Sequence, residues 1–510
     1  MSERYIEKIL KARVYEVARE TPLEYMPMLS GRLNNHIHLK REDLQSVFSF
    51  KLRGAYNRIS CLNSEERDRG VVTASAGNHA QGVALAASKL GIKSLIVMPK
   101  TTPSIKVRAV QDLGGKALLH GDSYDDAYEY AMELAQQNNL LFVHPFDDAE
   151  VIAGQGTIGV EMLRQHAAPP YAIFIPVGGG GLIAGVGAYV KYVYPEVKII
   201  GVEPEDAPSM QQSLKLRRRV RLKQVGIFAD GVAVRQIGKE NFRIAKQVVD
   251  EMVLVTTDEI CAAIKDQFDD TRAIVEPAGA LAVAGLKRYV KEQGIIDEHL
   301  LAIASGANIN FDRLRHVAER ADLGESREAL LAVRIPERPG SFLAFCRALG
   351  KRSVTEFNYR YRDASGAYVF VGIELTHGDQ ERHEVIKQLE TRGYSVTDMT
   401  ENELAKLHIR YMVGGHAPAI VEESLYRIEF PERPGALLDF LSHMGRRWNI
   451  SLFHYRNHGA AYGRVLMGVQ VQKDNRHKLK TVLRELGLSC CEETENPAYH
   501  LFASSGGASE

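Results

Sequence analysis

Ser49-Phe50-Lys51-Leu52-Arg53-Gly54 sets a lysine between two apolar residues. If those neighbours strip water from the amine, its pKa falls and it becomes a nucleophile toward a carbonyl; otherwise it is a surface lysine whose stem lies along apolar side chains. Three further segments could complete a site. Thr73-Ala74-Ser75-Ala76-Gly77-Asn78-His79-Ala80-Gln81-Gly82 reads as a strand end running into a helix. There, N–H groups, a hydroxyl and an amide can meet a carboxylate, or Ser75 and Asn78 can simply cap the helix. Gly178-Gly179-Gly180-Gly181-Leu182 follows the apolar run AIFIPV and opens LIAGVGAYVKYVY. Glycines let N–H groups close around an anion at the positive end of that helix. Ala304-Ser305-Gly306-Ala307-Asn308 is another strand end, where Ser305 can make one hydrogen bond to a bound ring or act as a cap.

The glycine loop has two readings on spacing alone. Gly179-x-Gly181-x-x-Ala184 fits the dinucleotide fingerprint, and Glu203 ends the next strand where a ribose-binding acid belongs. Its place in mid-domain, rather than at the first βα turn, speaks for a plain phosphate cradle. His36 and His38 share one face of a strand, but no third ligand is near in sequence, so no metal is expected there. Cys61, Cys261, Cys346, Cys490 and Cys491 form no CxxC pair or zinc spacing and read as reduced thiols.

The elements that must position these residues follow from pattern. Between about residues 71 and 205 short apolar runs (VVTAS, SLIVMP, LLFVHP, YAIFIPV, VKIIGVE) alternate with helical stretches such as HAQGVALAASKLGI. MVLVTT, EPAGALAVAGLKRYV and HLLAIASGAN extend the alternation to about residue 315. This predicts an α/β region with mainly parallel sheets covered on both faces. Residues 316–329, HVAERADLGESREA, contain no apolar strand and read as a helical or loop connector.

Beyond the connector a repeat appears. Ile335-Pro336-Glu337-Arg338-Pro339-Gly340 is echoed by Phe430-Pro431-Glu432-Arg433-Pro434-Gly435, and Phe357-Asn358-Tyr359-Arg360 by Phe453-His454-Tyr455-Arg456. Two copies of a βαββα, ferredoxin-like α+β domain are expected, over 330–405 and 425–505. The cationic run Lys215 to Lys223 reads as a solvated edge.

At 510 residues the chain has room for roughly three domains. With 64 basic and 64 acidic residues it lacks the basic excess of a dedicated nucleic-acid or membrane-surface binder. No apolar run reaches the ~18–20 residues of a spanning helix, and MSERYIEKILKARVYEV has no apolar export core, so a soluble cytoplasmic protein is expected.

Taken together, SFKLRGAYN, SAGNHAQG, PVGGGGL, EPAGA, SGAN and the two repeats resemble the fold-type II pyridoxal-phosphate enzymes and, within them, the biosynthetic threonine dehydratases. The resemblance implies a catalytic region over 1–315, with about 50–150 as the smaller of two open-sheet α/β subdomains, followed by two ACT-like regulatory domains. It implies that Lys51 carries pyridoxal 5'-phosphate and moves the substrate α-proton, and that Phe50 packs beside the ring. Asn78 is then expected to meet the ring 3' oxygen, Gly178, Gly179, Gly180, Gly181 and Leu182 the phosphate, and Ser305 the pyridine nitrogen. Ser75, Ala76, Gly77 and Asn78 are expected at the substrate carboxylate. A serine at the ring nitrogen does not hold it protonated, which favours β-elimination over a long-lived carbanion. L-Threonine, and L-serine beside it, are the implied substrates, with L-isoleucine and L-valine as opposing effectors of a homotetramer. The Pro339-Gly340 and Pro434-Gly435 turns and the Tyr359/Arg360 and Tyr455/Arg456 strands are the expected effector sites. Some relatives hold a cation near the segment matching Gly201 to Ser209; Glu203 and Ala207 match, but Ser209 replaces a carboxylate, so no metal is expected. Racemisation, β-replacement and a non-catalytic amino-acid sensor are the rival readings.

Overall fold

A computed structural model describes residues 3–336, 341–350, 352, 354–363, 366–411, 422–431, 448–456, 462–485 and 488–502. The chain divides into two compact units, Met1–Ala321 and Asp322–Glu510.

The first unit begins one sheet, leaves it to build another, and returns. Strands β1 (Leu23–Tyr25) and β2 (His36–Arg41) come first. The chain then makes β3 (Val71–Ala74), β4 (Ser94–Met98), β5 (Lys116–Leu119) and β6 (Leu141–Phe142), which pair in the order β5-β4-β3-β6 with every pair parallel. It returns with β7 (Ala172–Pro176), β8 (Lys198–Pro204), β9 (Glu251–Val255) and β10 (His299–Ala304), giving the order β1-β2-β10-β7-β8-β9. Only β1 runs antiparallel to its neighbour. Because helices cover both faces, Ala172, Ile173, Phe174 and Ile175 on β7 are all fully buried, and the strand reads as one apolar run rather than an alternation. The sequence does not announce β5, an edge strand whose residues are all partly or fully exposed.

Local signals set the helix ends. Ser123 and Asp126 form a capping box before Tyr124–Gln137, as Thr256 and Glu259 do before Thr257–Thr271. Helix Pro277–Gln293 starts with proline in its first turn and stops at Gly294, whose φ of 63° is left-handed. Helices Lys51–Ser60 and Ala149–Gln165 approach so closely that a Cβ on Gly154 would lie 2.7 Å from the Arg53 carbonyl oxygen.

A fully buried ionic network ties these two helices to β2. Arg53 pairs with Glu42 at 2.7 Å and with Glu161 at 2.6 Å, and Lys40 pairs with Glu161 at 2.6 Å. Thr21 donates to Glu42 at 2.6 Å, Arg53 donates to Thr157 at 3.1 Å, and Lys40 also reaches the Thr21 carbonyl. Burial opposes the Arg53 charge, but the two carboxylates outweigh it and raise its pKa further.

In the second unit, strand Glu328–Ile335 pairs antiparallel with Gly366–Glu374 on one side and Ser395–Asp398 on the other, and Val354–Asp363 closes the far edge. The second sheet repeats that order with Glu423–Pro431, Tyr462–Gln470, Ser489–Glu492 and Asn449–Arg456. Tyr359 lies opposite Val369 and Tyr455 opposite Val465, so the two copies share their register. Each copy has a fourth strand that the βαββα pattern lacks. Ser395–Asp398 and Ser489–Glu492 are four-residue edges with little apolar alternation, which hides them in sequence. Leu330, Phe370, Leu425, Leu466 and Tyr499 pack in one core shared by both copies. Pro339, Gly340, Pro434 and Gly435 lie outside the described residues, as do the side chains of Tyr359, Arg360, Tyr455 and Arg456.

The segment read as a helical or loop connector is part helix and part strand. Helix Arg313–Gly324 crosses its start and the strand Glu328–Ile335 begins inside its end. Val317 and Ala321 are spaced four apart and buried in the first unit's core, and Arg320 between them is buried as well, paired with Asp258 at 2.7 Å. Among the described residues, no helix is long and apolar enough to cross a membrane.

Candidate active site

The site residues sit where β2, β3, β7 and β10 end, on the carboxyl side of parallel strands, where open α/β sheets place their ligands. Backbone pairing joins the lysine segment to the strand end at β10. Phe50 N–H donates to Ser305 O at 3.2 Å, Ala307 N–H to Phe48 O at 2.8 Å, and Ser49 bridges Gly306. Lys51 and Ser305 thus share a frame although 254 positions separate them.

Lys51 is the first residue of its helix, and helix Asn78–Lys89 presses against it. A Cβ on Gly82 would lie 3.2 Å from both the Lys51 carbonyl carbon and Leu52 N. The Lys51 amine donates to Pro145 O at 3.0 Å and lies 5.4 Å from the centre of the Phe50 ring. Burial holds its pKa down to about 8, against the pull of the Glu276 carboxylate. The desolvated-amine reading of Lys51 therefore fits better than the snorkelling one.

Pro145-Phe146 links the lysine to the glycine loop. The Phe146 ring lies against Gly179 so tightly that a Cβ there would come within 2.2 Å of it. Asn241, fully buried, donates to both Gly179 O at 2.7 Å and Phe146 O at 3.0 Å, and Gly238 N–H adds a bond to Gly179 O at 3.1 Å. Gly180 has a φ of 92°, which only glycine adopts without strain, and helix Gly181–Val193 starts at the next residue. The N–H groups of Gly178, Gly179 and Gly180 donate to no oxygen of the described chain. With the carbonyls tied back and the N–H groups left free beside a helix N-terminus, the loop fits a phosphate. Leu182 is buried in the first turn of that helix.

Ser75 and Gly77 form the turn before Asn78, with Gly77 N–H donating to Ser75 Oγ at 3.3 Å; Ala76 lies between them, half-buried. The Asn78 amide is held from two sides. It donates to Glu276 Oε1 at 2.6 Å and accepts from Asn308 Nδ2 at 2.6 Å. Burial, and then the neighbouring Asp230 carboxylate, push Glu276 up to about 7, with the bond from Asn78 acting the other way. Ser305 is buried and donates to Ala278 O at 3.1 Å. His79 is buried and faces Val143 O at 3.1 Å; burial, then the Lys51 charge, lower it to about 3, so it is neutral. Ser49 Oγ is buried without a partner among the described residues, two positions before the lysine.

Sequence reasoning missed Glu276, Asn308, Asn241 and Phe146. Glu276 stood in view as the acidic residue before Pro277, and Asn308 as the last residue of SGAN, but neither spacing says that both reach Asn78. Glu203, the candidate ribose acid and cation ligand, is already engaged. Fully buried, it accepts from Met210 N at 2.7 Å and Gln211 N at 2.9 Å at the start of helix Ser209–Lys215, and burial pushes it up to about 8. A carboxylate spent on a helix N-terminus does not read a ribose, which removes the support for the dinucleotide reading.

A buried amine beside a glycine loop whose N–H groups are free at a helix N-terminus, set at the ends of two mainly parallel sheets, fits a pyridoxal-phosphate enzyme of fold-type II. The family model described as pyridoxal-phosphate dependent enzyme matches residues 14–306, and that of the C-terminal regulatory domain of threonine dehydratase matches 319–409 and 415–503. The chain belongs to the threonine dehydratase family of pyridoxal-phosphate-dependent enzymes. It is 55% identical over 506 residues to the L-threonine dehydratase biosynthetic IlvA of Burkholderia multivorans, covering 99% of this chain and all of the relative. With that of Escherichia coli it shares 53% over 498 residues, covering 98% and 96%. The solved structure of the processed form of threonine deaminase isoform 2 from Solanum lycopersicum matches with a TM-score of 0.61 and 52% identity, covering 62% of this chain and 92% of that one.

The Gly179 contact gives a first prediction. Gly179→Ala forces the Phe146 ring away, an overpacking cost of about 1–3 kcal/mol. Titrating cofactor into the stripped protein is expected to show retention weakened roughly tenfold or more, with the helix content unchanged.

Proposed function

We propose that this chain deaminates L-threonine to 2-oxobutanoate and ammonia by β-elimination, and L-serine to pyruvate beside it, as the first committed step of isoleucine biosynthesis. The observation that carries the reading is the desolvated Lys51 amine, held between Phe50 and Pro145 and joined by Phe146 to the glycine loop.

Pyridoxal phosphate, when bound, supplies a carbonyl electrophile and an electron-withdrawing ring that acidify the α-proton of an amino acid. The chain supplies the rest. The Gly178 to Leu182 segment holds the phosphate at the end of helix Gly181–Val193. Ser75, Ala76 and Gly77 receive the substrate carboxylate, and Asn78, fixed by Glu276 and Asn308, offers its amide to the ring oxygen. Phe50 walls the pocket beside the amine, and Ser305 presents a neutral hydroxyl where a carboxylate would hold the ring nitrogen protonated. Lys51, neutral above about pH 8, takes the α-proton at Nζ, and that proton together with the departing β-hydroxyl makes up the water lost.

A pH profile tests this assignment. The rate of 2-oxobutanoate formation is expected to fall as pH drops through about 8, because the protonated amine accepts nothing. The Glu276 charge raises the Lys51 pKa, so Glu276→Gln should move the acidic limb to lower pH; an unmoved limb would detach Glu276 from the lysine. D-Serine or a thioether as the main product would favour racemisation or β-replacement instead.

The C-terminal copies support feedback control, since elimination needs neither of them. We assign L-isoleucine as inhibitor and L-valine as its opponent, each acting through different affinity for two states of a homotetramer. The disulfide-free Cys61, Cys261, Cys490 and Cys491 fit a reducing cytoplasm. Truncation after Ala321 should leave threonine turnover within a few-fold and abolish inhibition by isoleucine; retained inhibition would move the effector site into the catalytic unit.

A further inference from the structure

His36 and His38 were a pair without a third ligand in sequence, and the fold supplies it. His36 and His299 begin β2 and β10 as directly opposed partners of a parallel ladder, and His38 lies two residues on. His166 ends helix Ala149–Gln165 beside them. The ring centres of His38 and His166 are 5.2 Å apart, and those of His166 and His299 5.0 Å. One ring nitrogen from each of His38, His166 and His299 lies within 4.8 Å of the other two.

The surroundings leave these nitrogens available. His166 Nδ1 is turned to Ala168 O, which leaves Nε2 facing the cluster and fixes the ring's orientation, as backbone carbonyls do for metal-bound imidazoles. His38 Nδ1 is buried and makes no hydrogen bond of normal geometry, with the His36 backbone as the polar group that interacts with the ring. His36 stands behind, its ring stacked on His299 at 4.7 Å and its Nε2 3.1 Å from Asp297. His299 is exposed, so an ion has a path in.

We propose that His38, His166 and His299 bind one divalent zinc-like transition-metal ion, with water completing the coordination. Three imidazoles with no thiolate or carboxylate among them select zinc, cobalt, nickel or copper over magnesium or calcium. Ligand nitrogens 2.0–2.1 Å from zinc stand about 3.3 Å apart in a tetrahedron, so closing the set from 4.8 Å needs the His38 and His299 rings to move toward the anchored His166. The site is separate from the elimination chemistry. It lies at the amino ends of β2 and β10, whereas Phe50 and Ser305 follow their carboxyl ends. Its effect is to fasten the end of helix Ala149–Gln165 to the amino ends of β2 and β10, five residues beyond Glu161 of the buried ionic network.

The test uses the full-length holoenzyme, stripped with a chelator and titrated with zinc sulfate by calorimetry, then with cobalt(II) chloride. One zinc per chain, a raised melting temperature and a tetrahedral cobalt band at wavelengths beyond the cofactor's absorption are expected. His166→Ala and His299→Ala should each weaken zinc binding at least about 100-fold while leaving threonine turnover unchanged. Full-strength zinc binding in both variants, or no binding by the wild type at micromolar zinc, overturns the proposal.

Discussion

Replacing Lys51 with alanine is expected to lower threonine turnover by at least about 10³-fold, the scale of a positioned acid–base group together with the covalent anchor for the cofactor. The visible absorption of the holoenzyme should be lost or displaced in the same variant, because among the described residues no other lysine amine is placed at Phe50, Pro145 and the glycine loop. Helix Lys51–Ser60 should survive, since alanine is the better helix former and Leu52 and Arg53 keep their contacts. A variant with wild-type colour and turnover would overturn the assignment of Lys51 outright. Turnover restored by an added primary amine would place the defect at the missing amine and not in the fold.

Arg53→Met is expected to be the most damaging change away from the reacting atoms. It leaves Glu42 and Glu161 buried with Lys40 as their remaining fully buried cation, and breaking a buried pair in this way costs about 3–5 kcal/mol. Urea denaturation should show the unfolding free energy of the catalytic unit's transition lowered by that amount. The double variant Arg53→Met/Glu161→Gln should recover part of it, because one uncompensated charge is removed. A loss below about 1 kcal/mol would mean that water enters and takes over the pairing. Arg53 lies two residues from Lys51, so loosened cofactor retention is expected alongside the lost stability.

Much of this was readable in the chain. The apolar runs from VVTAS to HLLAIA mark β3, β4 and β6 to β10 because parallel strands covered on both faces need no alternation. The Pro-Glu-Arg-Pro-Gly echo exposed the duplicated domain. Gly178 to Leu182 could be singled out because few residue types suit a close phosphate turn, whereas spacing alone left Lys51 as a snorkelling surface lysine until the resemblance raised it. Roles for Asn78, Ser75 to Gly77 and Ser305 came from resemblance, and spacing alone left them as helix caps. What stayed hidden were the partners brought in by the fold. Nothing local in Glu276 or Asn308 says that both grip Asn78 across about 200 residues. Edge strands such as Lys116–Leu119 and Ser489–Glu492 carry too few apolar positions to register, and the faces of helix Arg313–Gly324 become visible only once its buried Val317 and Ala321 are known.

The pairing of the Phe48–Phe50 segment with Ser305–Ala307 has a consequence for the chain as it is made. The amine emerges early, but the strand end that frames it is synthesised about 250 residues later, a wait of roughly 10–50 s at about 5–20 residues per second. Meanwhile β3 to β6 are complete in one continuous stretch, so the smaller sheet can form on the ribosome while β1 and β2 remain without their neighbour β10. The nascent chain therefore displays the apolar faces of Ile37 and Leu39 for about half of its synthesis, and its cofactor pocket comes into being all at once, near the moment the regulatory unit begins to appear.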